Sequence, residues 1–243
     1  GTNGKSTTAT ILFNILKDQK KDVRLVGNIG NPVLSEKNVS LKTIFIIEAS
    51  SYQLDYSKYF SADYGMILNI SADHIERHLT FKNYTKSKLK LILNQKKNGY
   101  SFIEKNNKYL KKQLRGKKLN SKLINVSIKK SYFNKIKNPY FFTDGNKQNL
   151  AFAYAVTKKL SLKMKFFFKT IDNFKGLKYR QQTIFSTKKI RIINDSKATT
   201  FSSTINTLKS LKKTYWIVGG LPKKGDRFLL SKKECLNFKA YIY

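Results

Sequence analysis

Acidic residues are scarce in this sequence: 14 Asp and Glu stand against 49 Lys and Arg, a formal net charge of +35 over 243 residues. Cysteine is nearly absent. The single Cys235 excludes an internal disulfide framework and fits a reducing, cytoplasmic setting. No apolar run approaches the roughly 20 residues of a membrane span, and no secretory signal or internal repeat is visible. There is also no zinc-finger spacing, no aromatic–basic ribonucleoprotein signature and no heptad with a basic region. A field this positive would attract nucleic acid, anionic lipid or phosphorylated small molecules. The lysines are nevertheless scattered through every segment, densest at "KKQLRGKKLNSK" (111–122), and most read as solvated surface.

What is present is a phosphate-loop pattern at the first residue, "GTNGKSTTAT". Gly1 and Gly4 allow backbone amides to converge on an anion, with Thr2 and Asn3 between them. Lys5 supplies charge to the outer phosphate oxygens, and a Ser6 or Thr7 hydroxyl can ligate Mg²⁺. The turn and helix are there, but the strand that should deliver the turn is not, so the sequence reads as starting at the loop. An ordinary Gly-rich turn before a helix is the weaker reading of the same residues.

Short β-branched runs alternate with amphipathic stretches, which predicts an α/β fold with a mainly parallel sheet. Helices are expected over 5–20, 82–94, 147–160, 168–174 and 202–212. Strands are expected at Val23–Val26, Thr43–Glu48, Tyr64–Ile70 and Tyr100–Ile103, with weaker ones at 122–126 and 139–142. The pattern restarts after "NFKGLKYR" with strands near 182–186, 190–194 and "TYWIVGG", placing a boundary near Tyr179–Arg180. The expected division is a phosphate-loop unit over 1–179 and a second α/β unit over 180–243, which stops mid-pattern.

Two stretches put chemistry at the carboxyl ends of strands, the edge where open α/β sheets bind ligands. "TIFIIEASSYQL" ends its strand in Glu48, placed to hold Mg²⁺ against phosphates. "GMILNISADHIERH" runs into Asp73 and His74, while the second histidine, His78, has no comparable argument. In "FKNYTKSKLKLIL", Phe81, Tyr84, Lys88 and Ile92 share one helical stripe, so Lys88 interrupts the inward face. Two outcomes stay open there. Lys88 snorkels to the rim, which periodicity alone favours, or its charge is used by a partner or removed by modification. "RIINDSKATT" and "YWIVGGLPKKGDRF" each carry a polar loop after a strand, a plausible second ligand surface or simple loop chemistry.

Seven stretches in this order resemble the Mur ligases, the ATP-dependent enzymes that build the peptidoglycan stem peptide. They are "GTNGKST", "GNIGNP" (27–32), "EASSYQL" (48–54), "LNISADHIERH" (68–78), "YTKSKLK" (84–90), "NDSKAT" (194–199) and "GGLPKKG" (219–225). "EASSYQL" together with "NDSKAT" resembles the branch that adds D-glutamate. The resemblance implies a three-domain enzyme of which this chain carries the central phosphate-loop ATPase domain, 1–179, and part of the third, a Rossmann-like domain over 180–243. It implies ATP bound by Gly1, Thr2, Asn3, Gly4, Lys5, Ser6 and Thr7, with Asn149, Arg180 and Asp195 on the nucleotide. Two Mg²⁺ sites follow, one on Ser6 and Glu48, the other on His74 and a carbamylated Lys88. Lys5, His74 and Lys88 are the implied catalytic set. Asn28 and Ser50 would contact UDP-N-acetylmuramoyl-L-alanine, with Lys197, Thr199 and Lys223 near D-glutamate and phosphate.

The implied protein is a cytoplasmic monomer with small-molecule substrates, no nucleic-acid partner and no membrane partner. Departures from the family pattern are "GN" for "HN" at 145–146, "LKYR" for "LPHR" at 177–180, and Thr200 for asparagine after "NDSKAT". Two other classes stay open: a folate-glutamylating relative, or a nucleic-acid-stimulated ATPase.

Overall fold

The computed structural model describes residues 1–221 and 226–243. Helix α1 (Lys5–Asp18) leads into β1 (Val23–Gly27), which pairs in parallel with β2 (Ile44–Glu48). A short α2 (Ser51–Tyr56) follows, then β3 (Tyr64–Ile67), a one-turn α3 (Ile75–His78) and α4 (Phe81–Leu93). Strand β4 (Tyr100–Glu104), helix α5 (Lys108–Leu114) and strand β5 (Lys122–Val126) complete a parallel sheet in the order β3-β4-β5. A short α6 (Lys130–Phe133), the long α7 (Asp144–Lys159) and α8 (Met164–Asp172) close this part.

Apolar spacing explains the layering. Ile11, Leu12 and Ile15 of α1 lie on one helical face and pack with Leu150, Phe152 and Val156 of α7, Phe167 and Ile171 of α8, and Phe102 of β4. The next residue of β4, Ile103, points to the other face. There it meets Ile67, Leu89 and Ile92, with Leu110 and Leu114 of α5. The β3-β4-β5 sheet is therefore covered on both sides, as parallel sheets require. Each of these fully buried side chains contributes about 1.5–3 kcal/mol of transfer free energy.

The remaining strands are organised differently. β6 (Gln182–Ser186) and β7 (Arg191–Asn194) form an antiparallel hairpin. After α9 (Phe201–Ser210), β8 (Thr214–Val218) pairs in parallel with β9 (Phe238–Ile242) across a short α10 (Lys232–Cys235). Hydrogen bonds join this part to α7: Thr143 Oγ1 and Asn146 Nδ2 both donate to Gln181 Oε1, at 3.0 and 2.9 Å.

One predicted strand is overturned. Residues Pro139–Phe142 form a 3₁₀ turn, because Asn138 Oδ1 accepts the Tyr140 N–H at 3.0 Å and Pro139 sits at its first position. Phe141 is fully buried there as a core plug, so its apolar character marks packing and not a ladder. The expected strand 64–70 also ends early, at Ile67, which frees 68–74 to wrap the phosphate loop. Among the described residues, no helix is long and apolar enough to cross a membrane.

Candidate functional site

The phosphate loop is bolted to the end of β3. Thr2 N–H donates to the Asn69 carbonyl at 2.9 Å and Asn3 N–H to Asn69 Oδ1 at 2.8 Å. Thr2 Oγ1 lies 2.9 Å from the Tyr84 hydroxyl and accepts the Ser71 N–H at 3.0 Å. Gly4 turns the chain into α1 with φ 81°, a left-handed conformation suited to glycine. A Cβ at Gly4 would also stand 2.0 Å from Asn149 Oδ1, so the loop and α7 touch only because no side chain intervenes. The N-cap of α1 is thus a glycine with nothing of its own to cap the first-turn amides, the arrangement that suits an anion. Lys5 folds back over the loop and donates from Nζ to the Thr2 carbonyl at 2.7 Å; burial pushes its pKa down, opposed by Glu48 and Asp73.

Glu48 ends β2 where β1 ends in Gly27, its register partner. Gly27 has φ 102°, and a Cβ there would lie 2.5 Å from the Glu48 carbonyl, so the close approach of the two strand ends needs glycine. Asn28 Nδ2 donates to Glu48 Oε1 at 3.1 Å, whereas Glu48 Oε2 is buried without a hydrogen-bond partner. A 4% exposed carboxylate with one satisfied oxygen and one orphan is costly unless a cation completes it.

His74 occupies a left-handed backbone conformation, φ 53°, uncommon for a residue with a side chain. Its Nδ1 lies 2.7 Å from the Tyr52 hydroxyl and its Nε2 lies 3.4 Å from Asp73 Oδ2. His78 sits behind it, buried, with Nε2 3.0 Å from Ser51 Oγ. Burial is the main force holding the His78 pKa below its ordinary value.

Lys88 does not snorkel. It is 4% exposed, donates from Nζ to the Gly1 carbonyl at 3.1 Å, and lies 4.6 Å above the Tyr84 ring. Burial, reinforced by the Lys5 charge, pushes its pKa down to about 7, against the pull of Asp73 and Glu48. Its ammonium is therefore half lost near neutrality.

The phosphate loop, Asn28, Glu48 and His74 border one cavity of about 860 Å³. Of the predicted residues, Thr2 to Thr7, Asn28, Glu48, His74, Asn149, Arg180, Asp195, Lys197 and Thr199 line it. Lys88 and Gly1 lie beneath the loop and do not line it. Ser50 does not either: its hydroxyl caps α2 by accepting the Gln53 N–H, with Gln53 Oε1 accepting the Ser50 N–H in return. Lys223 lies outside the described residues.

Asp195 Oδ1 accepts the Gln181 N–H at 3.0 Å, its Oδ2 is buried without a partner, and burial raises its pKa to about 6. Asp73, flagged beside His74 in the sequence, lines the cavity too, whereas sequence reasoning missed Asn69, Asn146 and Gln148, which also line it. Asn146 and Asn149 lie one helical turn apart on α7, a spacing that could have flagged the first once the second was chosen. Among the described residues, no cluster of three or more His, Cys, Asp and Glu forms a ready metal centre.

A Gly-Lys-Ser-Thr loop at a helix N-terminus, faced by a strand-end carboxylate in a parallel α/β sheet, defines a phosphate-loop nucleotide-binding domain. The chain belongs to the Mur ligase family: the model of the Mur ligase middle domain matches residues 1–167. It is 35% identical over 262 residues to a UDP-N-acetylmuramoylalanine–D-glutamate ligase of Rickettsia felis, covering all of this chain and 58% of that protein. A protein of the same name from Caldicellulosiruptor bescii is 30% identical over 94% of this chain and 54% of its own length. Among solved structures, the MurF ligase of Thermotoga maritima in complex with ADP shares the fold with a TM-score of 0.69 at 16% identity. That match covers 91% of this chain and 58% of the other. The chain thus spans less than three fifths of these relatives.

Proposed function

We propose that the chain forms the nucleotide-binding part of an ATP-dependent ligase that adds D-glutamate to UDP-N-acetylmuramoyl-L-alanine in peptidoglycan synthesis. The observation that carries this reading is the meeting of the phosphate loop, Glu48 and His74 at one cavity, with Lys88 buried under the loop. The names of the similar ligases, and the span of the likeness across the whole chain, support the choice of amino acid. Residues 1–179 act as the ATPase domain and 180–243 as part of the amino-acid-adding domain. The protein is read as a cytoplasmic monomer acting on small molecules, with no nucleic acid or membrane partner.

The reaction brings two anions together. The L-alanine carboxylate oxygen attacks the γ-phosphorus of ATP, the bond to ADP breaks, and an acyl phosphate forms. The D-glutamate amine then attacks the acyl carbon and loses a proton, and the C–O bond to phosphate breaks. Lys5, released from the Thr2 carbonyl, neutralises charge on the transferring phosphoryl group. Asn149, Arg180 and Asp195 hold the nucleotide, while Asn28 contacts the sugar-peptide. Lys197, Thr199 and Lys223 handle D-glutamate and phosphate.

The donors fit magnesium. Glu48 offers a buried, unpartnered oxygen and Ser6 a buried hydroxyl on the loop, so these two would hold one ion. His74 and Lys88 would hold a second, provided Lys88 becomes anionic. A neutral Lys88 amine attacks CO₂, a proton leaves, and the carbamate carries a negative charge where an ammonium would repel a cation. Bound magnesium supplies positive charge to the phosphate oxygens.

The test is a ligation assay on this polypeptide in its natural full-length context, offering D-Glu, L-Glu and L-Lys with UDP-N-acetylmuramoyl-L-alanine. ADP release dependent on D-Glu alone is expected. Turnover with folate in place of the sugar-peptide, or stimulation by RNA or DNA, would replace this reading.

A further inference from the structure

His78 is buried, yet nothing in the reaction above uses it. It stacks on Tyr52, with ring centroids 5.6 Å apart and planes 21° from parallel, and meets the Tyr84 ring edge-on at 5.4 Å. Its Nε2 is held by Ser51 Oγ at 3.0 Å. Tyr52 in turn reaches His74 Nδ1 with its hydroxyl at 2.7 Å, with the two rings edge-on at 5.0 Å. At the other end Tyr84 is tied to Thr2 of the phosphate loop at 2.9 Å. A continuous chain of contacts, Thr2–Tyr84–His78–Tyr52–His74, therefore joins the loop to the imidazole at the cavity wall.

Two further observations show that this chain is braced. The helices bearing Tyr52 and Tyr84 are clamped by Asp55, whose carboxylate accepts from Ser87 Oγ at 2.8 Å and whose carbonyl accepts from Lys90 Nζ at 2.5 Å. His74 itself sits at φ 53°, a conformation that persists only where its surroundings hold it.

We propose that Tyr52, backed by His78, is a positioning residue for His74: its hydroxyl, 2.7 Å from Nδ1 with Glu76 Oε1 3.5 Å from the same nitrogen, holds the ring angle and accepts the Nδ1–H when Nε2 ligates a metal. This rests on the reading of His74 as a metal ligand. A ligating histidine needs its second nitrogen satisfied, and loss of such a partner costs about 10- to 100-fold in metal affinity. The stack on His78 fixes the Tyr52 ring, so the hydroxyl meets Nδ1 without first losing side-chain freedom. The link through Tyr84 to Thr2 places ring and loop on one rigid frame.

The chain has two histidines, so ring-nitrogen NMR gives two separable signal sets. The experiment compares wild type, Tyr52→Phe, Ser51→Ala and His74→Ala. It reads the imidazole ¹⁵N shifts without metal, and then the affinity for manganese(II) with ADP present, from the EPR signal of the free ion. Tyr52→Phe keeps the stack and removes only the hydroxyl. It is expected to shift the His74 ring-nitrogen signals and to weaken manganese binding about tenfold. Ser51→Ala is expected to give a smaller loss of the same kind, through His78. If Tyr52→Phe leaves the His74 shifts and the manganese affinity unchanged while His74→Ala weakens binding, positioning is overturned and the ligand reading stands. If His74→Ala leaves manganese affinity unchanged, the ligand reading fails and the proposal falls with it.

Discussion

Residues 1–174 and 182–243 solve the problem of burial in opposite ways. The first part packs two aliphatic and aromatic cores around a covered parallel sheet, with Ile11, Leu12, Phe102, Phe152 and Phe167 wholly inaccessible. In the second, Leu208 is the one buried large hydrophobic among the described residues. Ile217, Leu229, Ile242 and Tyr243 are exposed. Within it an aromatic quartet joins α9, β8, β9 and Phe228: Trp216 stacks on Phe228 at 6.1 Å, and Phe201 and Phe238 meet Phe228 edge-on at 5.4 and 6.4 Å. Yet both parts supply the same cavity, the first the loop, Glu48 and His74, the second Asp195, Lys197 and Thr199. A region with little core of its own can still present polar groups accurately when it borrows rigidity from a neighbour, here through Gln181.

The sharpest way to break this comparison is to ask whether the rigid part carries a deliberate defect. Lys88 sits in the better core, where an ammonium is most costly. Lys88→Met keeps the stem and removes the charge. Ligation is expected to fall by about three orders of magnitude, with formate or acetate partly restoring Lys88→Ala by refilling an anionic position. Thermal stability of Lys88→Met should hold or rise. A variant that is both active and less stable would make Lys88 an ordinary structural residue. Next in size is Lys5→Ala, which removes a charged partner of the phosphates worth about 1.5–3 kcal/mol. ATP affinity measured by calorimetry should drop roughly 10- to 100-fold.

The same contrast explains what was legible beforehand. Helix α1, strands β1 to β4 and helices α4 and α7 could be read because buried faces impose a period, and Lys88 stood out because it broke one. Glu48, at the end of β2, and His74, on the segment that follows β3, could be picked out from the α/β topology. Short elements held by caps were harder. Helix α2 rests on the Ser50–Gln53 capping box, a signal present in "SSYQ" but easily lost beside the more conspicuous Glu48. The family resemblance alone places Ser50 at the substrate, and its hydroxyl is engaged as a cap. Pro139–Phe142 read as a strand because aromatic residues favour sheets, whereas Asn138 and Pro139 dictate a turn. Lys88 also illustrates a limit of periodicity, which finds the face but not the depth.

Two intermediate effects refine the picture of the rigid part. Gly4→Ala puts a Cβ against Asn149 at a left-handed φ, costing about 1–2 kcal/mol in backbone strain before the clash is counted. A fall of several degrees in melting temperature, with weaker nucleotide binding, is expected by calorimetry. The second effect is pH-dependent. Lys88 has its pKa lowered from 10.5 to about 7, so between those values the unfolded chain binds more protons than the folded one. Stability from this group therefore rises with pH across that window, and its penalty is fully present below about 7. In CO₂-free buffer the melting-temperature advantage of Lys88→Met over wild type should shrink as pH is raised from 7 to 10. An advantage constant with pH would mean that Lys88 keeps its charge throughout.

The smallest expected effect tests the borrowed rigidity itself. Gln181 accepts from Thr143 and Asn146 through Oε1 and donates its backbone N–H to Asp195, so it links the two parts. Gln181→Ala removes the two side-chain bonds and keeps the backbone one. Each such bond contributes about 1 kcal/mol net, and water can replace part of it at the cavity edge. The melting temperature of the well-packed part should hardly move, because none of its core residues is touched. Nucleotide affinity should fall about fivefold, and hydrogen exchange should quicken in β6 to β9 while α1 and α7 stay protected. If exchange quickened equally in α1, the two parts would be one cooperative unit, and the aromatic quartet would owe its order to the whole molecule and not to its own contacts.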